Sequence, residues 1–213
     1  MATEAGWNEL YESRPGAAEN SPMRAEWTKV MMWLFLISDA LTFSGFLCGY
    51  AALRMGGSNW PNPSKVFGIT LVSFMTFLLI CSSVTMVKAL SAIRKGNRSL
   101  MSVWLLVTAL GGAIFLGCQY YEWTHLIHEG IHLKYSKWHG QPINSLFGPT
   151  FFVTTGFHGL HVTGGVLLLL FGAFQGMTGR YTKQNNDGIE MIGLYWHFVD
   201  LVWILIFTFM YLI

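Results

Sequence analysis

Five stretches of about 20 or more residues run through this chain with almost no charge in them. They span about 30–53, 66–89, 100–121, 147–174 and 191–213. Few folds can accommodate that pattern. A hydrocarbon core about 30 Å thick takes about 20 apolar residues per helix. Inside it, only helices or a closed barrel satisfy every backbone N–H and C=O. Barrel strands are alternating segments of about 10 residues, and these runs are too long and too uniformly apolar for that. The expected fold is therefore an all-α integral membrane protein, a bundle of five transmembrane helices.

Composition closes the other routes. The 213 residues are 53% hydrophobic and 11% charged, with a formal net charge of +2. A soluble domain carries about 25% charged residues. The figures exclude an ordinary soluble domain, a disordered chain and a basic nucleic-acid binder. Cys48, Cys81 and Cys118 lie inside apolar runs with no metal-binding spacing, and are expected to be small buried hydrophobes.

Residues 1–28 contain Glu4, Glu9, Glu12, Glu19 and Glu26 and no apolar core. This is expected to be a polar cytoplasmic tail ahead of a membrane domain at 29–213, with no cleaved signal. Lys and Arg set the orientation. Arg14, Arg24 and Lys29, then Lys88, Arg94, Lys95 and Arg98, then Arg180 and Lys183 all fall on one side. The other side holds Arg54, Lys65, Lys134 and Lys137. The expectation is a cytoplasmic N-terminus and a periplasmic C-terminus. The outer loop at 122–146 then carries Trp123, Tyr135 and Trp138 as interface anchors.

Ionisable residues within a span are costly, so each asks for a partner or a function. Here they are Asp39, His158, His161, His197 and Asp200, with Glu122 and Glu190 at span ends. Asp39 reads either as part of a proton relay or as a carboxyl that fixes helix packing. Histidines on two helices could ligate haem or serve as interhelical hydrogen-bonding groups, with Glu122 a candidate partner for His158. His197 and Asp200, three residues apart, can share a face. Glu122-Trp-Thr-His125 has the Glu-x-x-His form of di-iron helices, but no second copy or companion carboxylates stand in register. His128 and His132 are four apart, with no evident third zinc ligand. Glycines at 111, 112, 117, 156, 159, 164 and 165 predict close helix approach.

Two long strings carry a resemblance. SLFGPTFFVTTGFHGLHV at 145–162 and GLYWHFVDLVW at 193–203 closely resemble subunit III of the haem–copper terminal oxidases. Ile37-Ser-Asp39 looks like that family's intramembrane Ser-Glu, and Gln119-Tyr-Tyr-Glu122 like its Gln-x-x-Glu. The resemblance covers about 29–213 and matches the five-helix bacterial type.

It implies a non-catalytic subunit, packed mainly on oxidase subunit I and also assembled with subunit II and other subunits. Haem and copper would lie in those partners, with no cofactor on this chain. Phospholipid would be bound in a cleft between helix groups. A cytochrome c domain or a larger respiratory supercomplex could contact the assembly. The complex would reduce O2 to water and pump protons in a bacterial inner (plasma) membrane. On this reading Asp39, Glu122, His158, His161, His197 and Asp200 form an internal polar framework. The longer family members have seven helices, of which this chain is expected to lack the first two, and Asp39 stands where Glu is frequent. Quinol-oxidase versions also use Ser-Asp, so a quinol oxidase subunit III is an alternative, as is the related accessory protein of nitric-oxide reductases. A stand-alone haem cytochrome or a transporter is a rival from another class.

Overall fold

The computed structural model describes residues 27–134, 137–138, 141–183 and 186–213. The expected N-terminal tail therefore falls almost wholly outside the described residues, as do Tyr135, His139 and the side chain of Trp138. The described chain forms α1 (Trp27–Gly56), the short α2 (Pro63–Val66), α3 (Ile69–Arg94), α4 (Arg98–His128), α5 (Phe147–Met177) and α6 (Asp187–Ile206). A π-helical segment, Phe207–Leu212, continues α6. Five of these elements are long and apolar enough to cross a membrane. The chain divides into two compact units, one ending at Ala40 and one beginning at Leu41.

The helices overrun the apolar stretches, chiefly at polar ends. The 31 residues of α4 make a rod about 46 Å long at 1.5 Å per residue. That exceeds the hydrocarbon thickness by several turns. α4 therefore runs on past Tyr121 to His128, which shortens the loop expected at 122–146. Pro149 falls in the first turn of α5, where a missing N–H costs no helical bond.

Three helices stop in the same way. Gly96, Gly130 and Gly179 have φ of 83°, 97° and 81°, a left-handed geometry that glycine adopts without a Cβ clash. After α3, Gly96 N–H donates to the Ile93 carbonyl and Asn97 N–H to the Ala92 carbonyl, at 2.8 and 3.0 Å. This is the paired closure that satisfies orphan carbonyls at a helix end. Asn97 then caps α4 through its Oδ1, which accepts from Leu100 N–H at 3.0 Å.

Within the larger unit α4 packs against α3 and α5, and α6 packs against α3 and α5. The α3–α4 turn and the α5–α6 loop meet at one end. There Arg94 lies 3.7 Å from Glu190, and a guanidinium nitrogen of Arg98 lies against Gly179. Arg94, Lys95, Arg98, Arg180 and Lys183 thus share that end. At the opposite end Asn144 ties two loops together. Its Nδ2 donates to the Ser58 carbonyl at 3.1 Å, and its backbone N–H to Asn59 O at 3.1 Å. A two-residue antiparallel pairing, Lys137–Trp138 with Gln141–Pro142, is the one departure from helix among the described residues with sheet pairing.

The cysteines depart from expectation. Cys48 and Cys81 are exposed and Cys118 is half-buried. Lipid-facing and core-facing helix surfaces are equally apolar, so lying in an apolar run does not place a residue in the core. For glycine, close approach does hold at several positions. A Cβ on Gly112 would lie 2.5 Å from the Trp196 ring, and one on Gly165 would lie 2.8 Å from it. The indole of α6 is thus slotted between the backbones of α4 and α5. Gly117 has open space around it instead.

Candidate functional site

The middle of the larger unit holds polar side chains that bond helix to helix. Two indoles of α6 reach α3. Trp196 Nε1 donates to Ser82 Oγ at 3.0 Å, and Trp203 Nε1 to Thr76 Oγ1 at 3.0 Å. Both hydroxyls in turn donate to carbonyls of their own helix, Ser82 to Leu79 and Thr76 to Val72. A buried indole N–H needs an acceptor, and a back-bonded hydroxyl has lone pairs to offer. Thr85 and Thr108 join α3 to α4 at 2.7 Å. Gln119 of α4 donates to the Thr155 carbonyl of α5 at 2.7 Å.

Glu122 is buried near the end of α4, and its Oε2 accepts from the Tyr211 hydroxyl at 3.0 Å. Tyr211 comes from the π-helical segment. It is covered by Phe67, whose ring lies 4.5 Å away centre to centre, and by Phe151 at 5.7 Å. The candidate pairing of Glu122 with His158 is not formed. His158 is wholly enclosed, with Trp203, Phe115 and Phe43 at ring distances of 5.0, 5.7 and 6.3 Å. Neither of its ring nitrogens reaches a hydrogen-bond partner among the described residues. His161 donates from Nδ1 to the Phe157 carbonyl of its own helix at 2.8 Å, and its carbonyl accepts from the Tyr195 hydroxyl at 3.0 Å.

Asp200 lies in the second half of α6, and its Oδ2 accepts from Ser83 Oγ of α3 at 2.6 Å. His197, one turn earlier, is half-buried. Asp39 lies on the part of α1 that belongs to the smaller unit, beside Ser38, whose hydroxyl donates to the Phe35 carbonyl at 2.8 Å. The structure thus ties Glu122 and Asp200 into separate interhelical bonds and sets His158 among rings.

Among the described residues, no three His, Cys, Asp or Glu side chains are grouped so as to hold a metal ion. In the Glu-x-x-His pattern, Glu122 is buried while His125 is exposed, so the two do not turn into one pocket. The hydroxyl and indole partners escaped a reading that weighed only ionisable groups. The signal was present in the two tryptophans at 196 and 203 and the Ser82-Ser83 pair, all within spans.

A helical bundle with five helices long and apolar enough to cross a membrane, cross-braced by buried polar pairs, is what this geometry defines. Sequence comparison supplies the rest. The family model described as cytochrome c oxidase subunit III matches residues 18–213. The chain is 37% identical over 180 residues to cytochrome bo(3) ubiquinol oxidase subunit 3 of Pseudomonas aeruginosa, covering 84% of this chain and 82% of that one. It is 36% identical over 180 residues to quinol oxidase subunit 3 of Bacillus spizizenii, covering 84% of each. It is 36% identical over 181 residues to cytochrome c oxidase subunit 3 of Thermostichus vulcanus, again covering 84% of each. The chain belongs to the subunit III family of the haem–copper terminal oxidases.

Proposed function

We propose that this chain is the non-catalytic subunit III of an aerobic respiratory oxidase in a bacterial inner membrane. It binds the flank of subunit I, orders phospholipid there and supports proton uptake, while haem and copper stay in the partner subunits. Its N-terminus is cytoplasmic, on the side of the Arg94–Lys95–Arg98 and Arg180–Lys183 loops.

The observation that carries this reading is how the buried acids are used. Glu122 bonds to Tyr211 and Asp200 to Ser83, each between helices of the same chain. Groups engaged in this way hold helices together. Cytochrome c is the proposed electron donor. Quinol is the second reading, favoured by the 36% and 37% identity to quinol-oxidase subunits.

The experiment is affinity purification of the tagged chain from its native membrane, followed by identification of its partners and oxygen-uptake assays. A haem-bearing large subunit and turnover with reduced cytochrome c support the reading. Turnover with quinol alone moves it to the second. Isolation of the chain without any haem-bearing partner overturns both.

A further inference from the structure

Where α4 and α5 run side by side, an open furrow lies between them. It begins as a hollow of about 460 Å³ lined by Trp123 and Ile127 of α4, Phe152 and Val153 of α5, and Lys134 from the loop after α4. This is the bundle end opposite the Arg94–Lys95–Arg98 cluster. A second hollow, of about 210 Å³, continues it inward past Leu116, Gly156, Gly159, Leu160 and Thr163. Trp123 borders both hollows. Glycine makes room for this waist, because a Cβ on Gly156 would lie 3.1 Å from the Trp123 ring. A Cβ on Gly159 would lie 3.0 Å from Gln119 Oε1. Both side chains of α4 thus come down onto bare backbone of α5.

Length and charge say what the furrow fits. From Val153 to Thr163 α5 rises about 15 Å, half of a hydrocarbon core about 30 Å thick. Thr163 lies next to the midpoint of the 31-residue α5. The furrow therefore runs from one end of the bundle to mid-depth and stops there, which is the depth of one leaflet. A transmembrane helix laid against the pair would need a track through both leaflets. The inner part is walled by Leu116 and Leu160, the latter 69% exposed. At the mouth stands Lys134, exposed and without an acidic partner among the described residues. A cation at the membrane surface attracts anionic headgroups, and the apolar track beneath it takes a hydrocarbon chain.

We propose that this furrow seats one acyl chain of an anionic phospholipid, with the phosphate on Lys134 Nζ and the chain laid past Trp123 toward Thr163. The inference rests on the proposed function for its membrane setting, and adds the site, the leaflet and the headgroup charge. With the N-terminus cytoplasmic, the leaflet is the periplasmic one. The site is distinct from a cleft between helix groups, since both walls are neighbouring helices of one compact unit.

The test uses the intact oxidase in phosphatidylcholine vesicles doped with phosphatidylglycerol that carries a photoactivatable group midway along one chain. A phosphatidylcholine probe of the same design is run beside it. After exchange into vesicles free of probe, the labelled positions are read by peptide mass spectrometry. Label from phosphatidylglycerol is expected to persist at Leu116, Leu160 and Thr163 at least threefold longer than at Leu167, which is 62% exposed on the same helix beyond the furrow. The phosphatidylcholine probe should leave the furrow at least threefold faster. Lys134→Glu should abolish that difference between headgroups. Leu160→Trp, which narrows the furrow from its rim, should shorten the retention of both probes. Both substituted residues are exposed, so the unfolding midpoint of each variant should match that of the parent.

Label that leaves the furrow as fast as it leaves Leu167 overturns the inference. So does equal retention of the two probes, or retention of phosphatidylglycerol that Lys134→Glu does not change. Label at Leu167 with none in the furrow shows that protein covers it, and overturns the inference too. If the chain brings down no haem-bearing subunit, the proposed function falls, while the same retention assay on the chain alone still decides the furrow.

Discussion

Ser82 and Ser83 are neighbours on α3, and Trp196 and His197 are neighbours on α6, yet the two pairs live in different environments. Ser82 and Trp196 are buried and bonded to each other at 3.0 Å, with the indole gripped by Gly112 and Gly165. One residue further on, Ser83 and His197 are only partly covered, and the carboxylate that Ser83 bonds keeps one oxygen unmatched. A step of one residue turns a helix by 100°. The same helix pair therefore offers a closed seam on one side and an open rim on the other. The seam holds this chain together, and the rim adds little to that hold.

That contrast can be broken most forcefully at the seam. Trp196→Ala removes the largest side chain at the junction of α4, α5 and α6. It should cost about 3–5 kcal/mol, read as a fall in the unfolding midpoint of the chain in mild detergent. Gly165→Val drives a branched side chain into the indole from the other side. It should cost about 1–3 kcal/mol, by the logic of overpacking. If either variant is as stable as the parent, the seam is not where stability resides.

Tyr211→Phe leaves the Glu122 carboxyl buried without its donor. A loss of about 1–3 kcal/mol is expected, together with faster amide exchange at the C-terminal end of α6. Ser82→Ala removes one acceptor from an indole N–H. Polar pairs between membrane helices average about 0.6 kcal/mol, so the effect should be near that size. The smallest effect falls on the rim. His197→Leu should change the stability of the isolated chain by no more than about 0.5 kcal/mol, measured by the same unfolding titration. A loss as large as that of Tyr211→Phe would erase the distinction between seam and rim.

Much of this architecture is legible in the sequence, because length and hydrophobicity alone dictate membrane spans. The cationic residues at 94–98 and 180–183 also mark their shared end without help from coordinates. What could not be read is pairing. Nothing periodic announces that α6 turns π-helical at Phe207, and it is from that segment that Tyr211 reaches Glu122. Sequence spacing offered His158 to Glu122 instead, although the structure surrounds that imidazole with rings. Cys81 shows the complementary blindness. Its apolar neighbours suggested a core residue, and it faces outward. A helix in lipid has apolar residues all round, so only small residues and hydrogen-bonding groups distinguish the inner face. Gly112, Gly165, Ser82 and Trp196 carry that distinction here.

The central proposal is that the buried acids Glu122 and Asp200 hold helix to helix and that this chain carries no redox centre. The direct measurement is the iron and copper content, with the optical spectrum, of this chain after it has been stripped from the intact oxidase. The account predicts no stoichiometric metal and no haem band on the chain, with both retained by the remaining subunits. One iron or copper per polypeptide travelling with this chain would contradict it.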